Sequence, residues 1–181
     1  MSSANNAKWA VVSERHARAV NEFLDAANGI PAERWLLPLA DGKWTPAQVT
    51  VHVIQSYEIT TNQLRTGEGL KVQTGWLLRQ ILRQVVLRRI MWTRKLPRGA
   101  KAPKILLPGE TAIDRDEALD RLRIVVADFE DELRARRDQP SLQLTHHIFG
   151  SIDALRGLDF IAVHTAHHGR QLQSSPVAEP S

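Results

Sequence analysis

The sequence predicts an all-α protein, a four-helix bundle with one long crossover connection between its second and third helices. Four long stretches carry apolar residues at three- and four-residue spacing, whereas no stretch alternates apolar and polar residues as a half-buried strand would. A long connection separates the second and third stretches. Four-helix bundles with one crossover contain such a connection. Because 181 residues with 43% hydrophobic content suffice for one core, we expect a single domain over residues 1–173.

Start and stop signals bound the first two helices. The first is expected over residues 7–27 and ends at the sequence Asn-Gly-Ile-Pro, because proline cannot continue a helix. The second begins after the N-cap Thr45, with Pro46 at the first helical position and Gln48 completing a capping box. This helix should end near Gly67.

The third and fourth helices are indicated by an N-cap and by apolar spacing. Asp114 is the expected N-cap of the third helix, and arginines gather near the C-terminal end, where the helix dipole favours positive charge. Its apolar positions should form one buried face: Leu119, Leu122, Val126, Phe129 and Leu133. The fourth helix is expected over residues 151–172, and the polar tail at 174–181 is expected to be disordered.

The amino-acid composition excludes several classes of site. There is no cysteine, which excludes disulfides, thiolate zinc sites, iron–sulfur clusters and a cysteine nucleophile. Histidine and carboxylate side chains remain as metal ligands. The first residues lack the pattern of a signal peptide, and no apolar run reaches about 18 residues, so we expect a soluble, cytoplasmic protein.

Positive charge is concentrated in one segment, residues 70–109. This segment carries ten lysines and arginines and no acidic residue, whereas the rest of the chain has fourteen basic and twenty acidic residues. Its first half is a predicted amphipathic helix containing Arg79, Arg83, Arg88 and Arg89, and its second half is a loop rich in proline and glycine. A nucleic-acid surface and a helix lying on an anionic membrane are possible functions. We favour a solvated face, because charged runs are most often that, and expect neither nucleic acid nor membrane as a partner.

Three histidines are expected to face the bundle interior. His164 and His168 are one helical turn apart, within the apolar side of the fourth helix. His52 lies on the core-facing side of the second helix, whereas His167 lies nearer the polar side of the fourth and is not counted as a ligand. Two helices could thus supply three imidazoles to one metal and leave one coordination position open, as in catalytic zinc sites. Hydrogen-bonded core histidines are the alternative, and spacing alone leaves both interpretations open.

Two segments, in this order, resemble the DinB-like, YfiT-like superfamily of bacterial proteins, which are described as metal-dependent. The first is GKWTPAQVTVHV, a Trp-Thr-Pro start of the second helix followed by His52. The second is THHIFGSIDALRGLDFIAVHTAHHGRQL, a turn before the last helix followed by His164, His168 and Gln171. The resemblance implies a four-helix bundle with one long crossover and a divalent metal bound by the three histidines.

The same resemblance implies partners, and this chain departs from the family pattern in two places. It implies a homodimer for this chain, and some members are transferases or isomerases that use the thiols mycothiol or bacillithiol. His147 stands where the turn usually has proline, and Gly169-Arg170 replaces the usual Arg-Gly order before the glutamine. Neither departure changes a proposed ligand. Gln171 is expected first to form a helix–helix hydrogen bond, and His147 to cap or line the turn. Both could also support the ligands through hydrogen bonds.

The expected activity follows from the ligand set. A metal held by three neutral imidazoles keeps its positive charge and strongly lowers the pKa of a bound thiol or water. Thr165 stands where zinc proteases have a glutamate beside their first histidine, and Glu58 is expected to point away, so no general base is evident. We therefore expect activation of a low-molecular-weight thiol toward a small-molecule substrate, as in an S-transferase or isomerase.

Other functions and several metals remain compatible with the sequence. A hydrolase that uses metal-bound hydroxide is the first alternative, and a non-enzymatic protein that binds metal, nucleic acid or a membrane surface is the second. Zinc or nickel is the expected metal, and iron, manganese or copper also suit imidazole ligands.

Overall fold

The computed structural model describes residues 3–97, 99 and 102–174. In chain order these residues form α1 (Ser3–Asn28), α2 (Pro46–Thr66), α3 (Trp76–Leu82), α4 (Arg88–Thr93), α5 (Arg115–Arg136), β1 (Gln143–His146), β2 (Gly150–Asp153) and α6 (Ala154–Gln173). Short 3-10 turns lie at Ala32–Arg34 and Lys104–Leu106, and a π-helical turn at Arg83–Leu87 joins α3 to α4. Of the tail expected to be disordered, residues 175–181 lie outside the described residues.

The four long helices, α1, α2, α5 and α6, form the predicted bundle. α1 packs along α6 and α2 packs along α5, and contacts between α2 and α6 join the two pairs. The apolar faces build one core in which Phe23, Tyr57 and Phe129 are almost fully buried. The buried face predicted for α5 is confirmed at each of its five positions. Burial of each such large apolar side chain contributes roughly 1.5–3 kcal/mol to folding.

The helix ends follow the sequence signals. Thr45 Oγ1 accepts a hydrogen bond from the N–H of Gln48 at 3.1 Å, and Gln48 Oε1 accepts one from the N–H of Thr45 at 3.0 Å, which completes the predicted capping box. α2 ends at Gly67, whose φ of +79° lies in the left-handed region that favours glycine. Asp114 caps α5 by accepting a hydrogen bond from the N–H of Asp116 at 2.8 Å.

A small β-hairpin precedes α6 and adds a minor element to the predicted helical bundle. β1 pairs antiparallel with β2, and buried Leu144 lies opposite buried Ile152. α6 consequently begins three residues later than predicted. Gln63 of α2 holds the hairpin against the bundle, because its Oε1 accepts a hydrogen bond from the N–H of Thr145 at 2.9 Å. Strands of four residues are too short to give a clear alternating pattern in the sequence.

The long crossover between α2 and α5 contains the predicted amphipathic helix. α3, the π-helical turn and α4 run without a break, and α4 packs against α6. Leu87 and Ile90 on this helix form a second apolar cluster with Phe149 and Phe160. Among the described residues, no helix is both long and apolar enough to cross a membrane.

Candidate metal centre

His52 of α2 meets His164 and His168 of α6 in the bundle interior. The Nε2 atom of His164 lies 3.3 Å from Nε2 of His52 and 3.2 Å from Nε2 of His168. One ring nitrogen from each of the three residues lies within 4.8 Å of the other two. Two nitrogens bound at about 2.1 Å to one tetrahedral zinc are about 3.4 Å apart, so the rings are spaced to hold one ion.

Helix geometry explains why these three side chains meet. His164 and His168 are one turn apart on α6, and their ring centroids are 4.6 Å apart. His52 lies in the second turn of α2, just after the capping box, and its ring packs 5.0 Å from the ring of Trp44. The structure therefore brings together the three histidines that the sequence analysis put forward. Trp44 contacts His52 and also packs against the apolar core of the bundle.

Hydrogen bonds at the Nδ1 atoms orient two of the rings. His52 Nδ1–H donates to the carbonyl oxygen of Leu106 at 2.7 Å, and His168 Nδ1–H donates to Gln171 Oε1 at 2.8 Å. Gln171 in turn donates from its Nε2 to His167 Nε2 at 3.1 Å. Gln171 thus contacts one of the three histidines directly. The Leu106 contact comes from the crossover loop and carries no sequence signal, because a backbone carbonyl belongs to every residue type.

The three Nε2 atoms cannot satisfy one another by hydrogen bonding. With Nδ1 protonated, His52 and His168 both present a lone pair at Nε2, and each lies close to Nε2 of His164, which carries one proton at most. At least one acceptor nitrogen therefore has no donor among the three rings, and an unsatisfied buried polar atom costs free energy. A divalent cation among the rings would receive all three lone pairs, so these residues fit a metal.

The environment favours the neutral, metal-binding form of each histidine. Burial lowers the pKa of His168 to about 3, and the nearby His52 acts in the same direction. Burial and the neighbouring histidines hold the pKa of His164 well below its usual value. Burial also lowers the pKa of His52, against the opposing effect of its hydrogen bond to the Leu106 carbonyl. All three rings are therefore neutral at neutral pH, as metal ligation requires.

A cavity of about 830 Å³ lies against the three histidines. Its wall is mainly aliphatic and aromatic and includes Leu82, Val86 and Phe149. Among the described lining residues there is no Asp or Glu, and Lys43 is the only lysine or arginine. Glu58 does not line the cavity and instead pairs with Arg121 of α5, with an oxygen-to-nitrogen distance of 2.7 Å. The volume is typical of sites for small molecules.

Two further histidines of the hairpin turn line this cavity. His146 Nδ1 accepts a hydrogen bond from the N–H of Ile148 at 3.1 Å, so its proton resides on Nε2. Burial, with a smaller effect of His147, lowers the pKa of His146 to about 3, which keeps this ring a neutral donor. The Nδ1 atom of His147 is buried without a hydrogen-bond partner among the described residues. His147 makes no described hydrogen bond to the three central histidines, so the support expected from it is not seen.

A second buried polar group was not foreseen from the sequence. His16 of α1, to which we assign no role from the sequence, is almost fully buried and bonds through Nδ1 to Glu130 Oε1 at 3.0 Å. Its Nε2 lies 2.8 Å from the hydroxyl of Tyr57, which lies 3.0 Å from Oγ1 of Thr165. These four side chains come from α1, α2, α5 and α6, so they tie the whole bundle together. Hydrogen bonds between residues so far apart in the chain leave no local pattern in the sequence, so they could not be predicted from it.

Comparisons with known proteins show the family and the fold. The sequence profile of the DinB superfamily matches residues 15–172. The crystal structure of TT2238, a four-helix bundle protein, is similar with a TM-score of 0.60 at 22% sequence identity, over 92% of this chain and 99% of that one. This similarity shows the fold alone. No curated protein matches the chain significantly. Because the profile spans most of the chain and all three central histidines, the chain belongs to the DinB superfamily.

Proposed function

We propose that this protein is a metal-dependent enzyme that activates a low-molecular-weight thiol for attack on an electrophilic small molecule. The observation that carries the proposal is the convergence of three imidazole nitrogens on the wall of a mostly apolar cavity. A divalent cation held there, such as zinc or nickel, would supply Lewis-acid activation of a thiol. The DinB superfamily often binds metal, which supports the first part of the proposal.

The residues around the cavity favour a thiol over water as the nucleophile. Hydrolysis draws on a general base, and the described lining contains no carboxylate. A histidine such as His146, whose pKa is about 3, is a weak base at neutral pH. A thiol loses its proton more readily than water does, because the ordinary pKa of a thiol is about 8.5 and that of water is about 15.7. The residues that line the cavity therefore favour attack of a thiol on an electrophilic carbon over hydrolysis.

The same wall indicates the chemical class of the second substrate. Leu82, Val86 and Phe149 offer apolar surface, so the body of the substrate should be apolar or aromatic. His146, protonated at Nε2, is a neutral donor for a carbonyl, nitro or epoxide oxygen. Lys43, which is exposed, provides one positive charge for an anionic group of either substrate. The chain thus binds and orients the substrates, and the apolar wall excludes water.

Metal analysis is the first test. The protein is purified without a histidine tag and compared with the variant His52→Ala/His164→Ala/His168→Ala after dialysis against zinc or nickel. We expect about one metal ion per chain in the wild type and none in the variant. His16→Ala is the matched control, since it removes a buried histidine from the same bundle and should leave the metal content unchanged. Equal metal content in wild type and triple variant would contradict the proposal.

Activity is the second test. Metal-loaded protein is incubated with glutathione, cysteine, mycothiol or bacillithiol and with aromatic epoxides or halonitrobenzenes, and conjugates are measured by mass spectrometry. We expect turnover that requires both metal and thiol. Turnover of esters or lactams in the absence of a thiol would instead show that the protein is a hydrolase. Metal binding with neither activity would make this a binding protein and would refute the enzymatic proposal.

A further inference from the structure

The outer face of the helix formed by α3, the π-helical turn and α4 carries exposed apolar side chains. Leu77 is 67% exposed and Val85 is 61% exposed, and Ile81 is also more than half exposed. These residues recur every four positions, so they form one stripe along the helix. Trp92, at 86% exposure, stands at the C-terminal end of the same helix. We call Leu77, Ile81 and Val85 the apolar stripe.

Packing of the inner face fixes the orientation of this helix. Leu87 and Ile90 are almost fully buried and form a cluster with Phe149, Phe160 and Val163. The helix cannot rotate to bury the apolar stripe without exposing this cluster. The stripe is therefore a stable feature of the surface, and exposed apolar patches of this kind commonly mark a surface that binds a partner.

The arginines beside the apolar stripe are free of intramolecular ion pairs. Arginines elsewhere, such as Arg65, Arg121 and Arg136, bind carboxylates of neighbouring helices or turns. Four arginines of this helix make no ion pair with any described residue: Arg79, Arg83, Arg88 and Arg89. No acidic residue occurs between residues 70 and 109 to neutralise them. The charge of Arg83, Arg88 and Arg89 is thus available to an external anion, whereas the side chain of Arg79 packs against Gly150 of β2.

Two of these arginines line a polar depression on the surface. Arg83 is the first residue of the π-helical turn and Arg88 directly follows the turn, and with Arg156 of α6 they border a depression of about 480 Å³. The remaining lining residues are Gln80 and Gln84, so the wall offers mainly hydrogen-bond donors. Arg156 pairs with Asp153 at 3.7 Å, so the two unpaired guanidinium groups of Arg83 and Arg88, with the two carboxamides, are the groups that suit the oxygens of a phosphate group.

We propose that this helix binds to an anionic membrane surface, with the apolar stripe among the lipid chains near the interface and a lipid phosphate in the arginine-lined depression. Interfacial helices combine an apolar face with arginine or lysine, and tryptophan residues such as Trp92 prefer the headgroup region. The proposal replaces the solvated face expected from the sequence, because only the structure shows that apolar side chains remain exposed beside unpaired arginines.

Two other partners fit these observations less well. A duplex nucleic acid is bound mainly through polar and basic side chains, so it would leave the apolar stripe in water. A second copy of this chain, paired through the same helix about a twofold axis, would bring Arg83, Arg88 and Arg89 near their own copies without an acidic residue from this segment. An anionic lipid surface satisfies both the apolar stripe and the arginines.

Vesicle binding by the protein tests the proposal. Co-sedimentation is measured with vesicles of phosphatidylcholine alone and of equal parts phosphatidylcholine and phosphatidylglycerol. We expect binding to the anionic vesicles only, with weaker binding at high salt and a blue shift of tryptophan emission. The variant Arg83→Gln/Arg88→Gln/Arg89→Gln should weaken binding roughly a hundredfold, about fivefold for each arginine.

Matched variants separate a specific surface from general charge or hydrophobicity. Arg18→Gln/Arg123→Gln/Arg134→Gln removes the same charge from exposed arginines elsewhere and should bind as the wild type does. Leu77→Gln/Ile81→Gln/Val85→Gln should lose binding, whereas Val11→Gln/Leu36→Gln/Ile124→Gln, at other exposed positions, should retain it. All four variants should keep the helical circular dichroism and metal content of the wild type.

Three results would overturn the proposal. One is absence of binding to phosphatidylglycerol vesicles at low salt. Another is an equal loss of binding in the control variants. The third is a change in duplex DNA binding or in the monomer–dimer equilibrium caused by the same substitutions, without any change in vesicle binding. None of these measurements requires bound metal or catalytic activity, so they are independent of the proposed enzymatic function.

Discussion

Two buried histidine sites in this bundle differ in how their polar atoms are satisfied. At His16, Nδ1 can donate to Glu130 while Nε2 accepts from the hydroxyl of Tyr57, and the Tyr57 oxygen can accept from Thr165. Each donor there has an acceptor. At the other site, the Nε2 atoms of His52 and His168 both present lone pairs to His164, so donors are lacking. His16, His52 and His168 are all almost fully buried, and the two sites differ in the match of donors and acceptors.

This difference separates a structural site from a candidate metal site. A fully satisfied network of buried polar groups stabilises one arrangement of the helices. A cluster of acceptors in the interior is unfavourable until a cation binds, and functional sites often reduce the stability of the fold in this way. Buried histidines by themselves therefore do not indicate a metal. The inference depends on which ring nitrogens already have a partner.

The largest expected effect is the loss of metal affinity when one central histidine is removed. His164→Ala should weaken zinc binding by more than about a hundredfold, because even a residue that only supports a ligand contributes 10–100-fold. His16→Ala should bind zinc as the wild type does. Isothermal titration calorimetry with zinc measures both constants. Similar losses in the two variants would show that the sites do not differ as described.

In the metal-free protein, a substitution at His16 should reduce the free energy of unfolding more than a substitution at His164 does, the reverse of their effects on zinc affinity. His16→Ala leaves Tyr57 and Glu130 without their partner, so we expect a loss of about 3 kcal/mol in the free energy of unfolding, or a melting temperature lower by about 6–12 °C. His164→Leu should leave the stability unchanged or increase it, because it removes an acceptor that faces other acceptors. Urea denaturation in the presence of a chelator tests both. A larger loss in His164→Leu would refute the comparison.

A smaller effect is expected at the glutamine that links His167 and His168. Gln171→Ala removes the acceptor of the Nδ1–H of His168, so zinc affinity should fall about 10- to 100-fold. Gln171→Glu keeps an acceptor at that atom and should bind zinc at least as tightly as the wild type. Competition with a chromophoric chelator measures these affinities. Equal loss in both variants would show that the hydrogen bond does not orient the ring.

The last effect, the smallest when counted over a single pH unit, concerns the dependence of stability on pH. The pKa of His146 is about 3 in the folded protein and near 6.5 in the unfolded chain. Above about pH 6.5 both states are neutral and the stability is fully present. As the pH falls from 6.5 toward 3, the unfolded chain binds a proton that the folded protein does not, so the free energy of unfolding decreases by up to about 1.4 kcal/mol per pH unit.

His146→Asn should remove this contribution without removing the turn. The Asn Oδ1 can replace Nδ1 as the acceptor for the N–H of Ile148, but it does not titrate. Denaturation of metal-free protein between pH 4 and 8, a range that spans the ordinary pKa of histidine, should give a shallower slope for the variant below about pH 6.5. An unchanged slope would mean that His146 is not protonated on unfolding in this range.

Most of the helical fold could be predicted from local signals, and the polar pairing could not. The capping box of Thr45 and Gln48 and the apolar face of α5 depend on residues close in sequence, so their spacing indicated them. The hairpin was not predicted, because strands of only four residues give no clear alternation of apolar and polar residues. The bonds of His16 to Tyr57 and Glu130 join residues 41 and 114 positions apart, and no local pattern encodes such distances.

The sequence by itself determined the residue types that can bind a metal and the helix faces that carry them. The absence of cysteine left nitrogen and oxygen ligands, and helical spacing placed His164 and His168 on one face. Only the tertiary structure decided that His52 lies 3.3 Å from His164, that the Leu106 carbonyl fixes its tautomer, and that an apolar cavity adjoins the rings. It also decided that the apolar stripe stays exposed. Local periodicity specifies which face of a helix is apolar, but the packing of distant elements determines what covers that face.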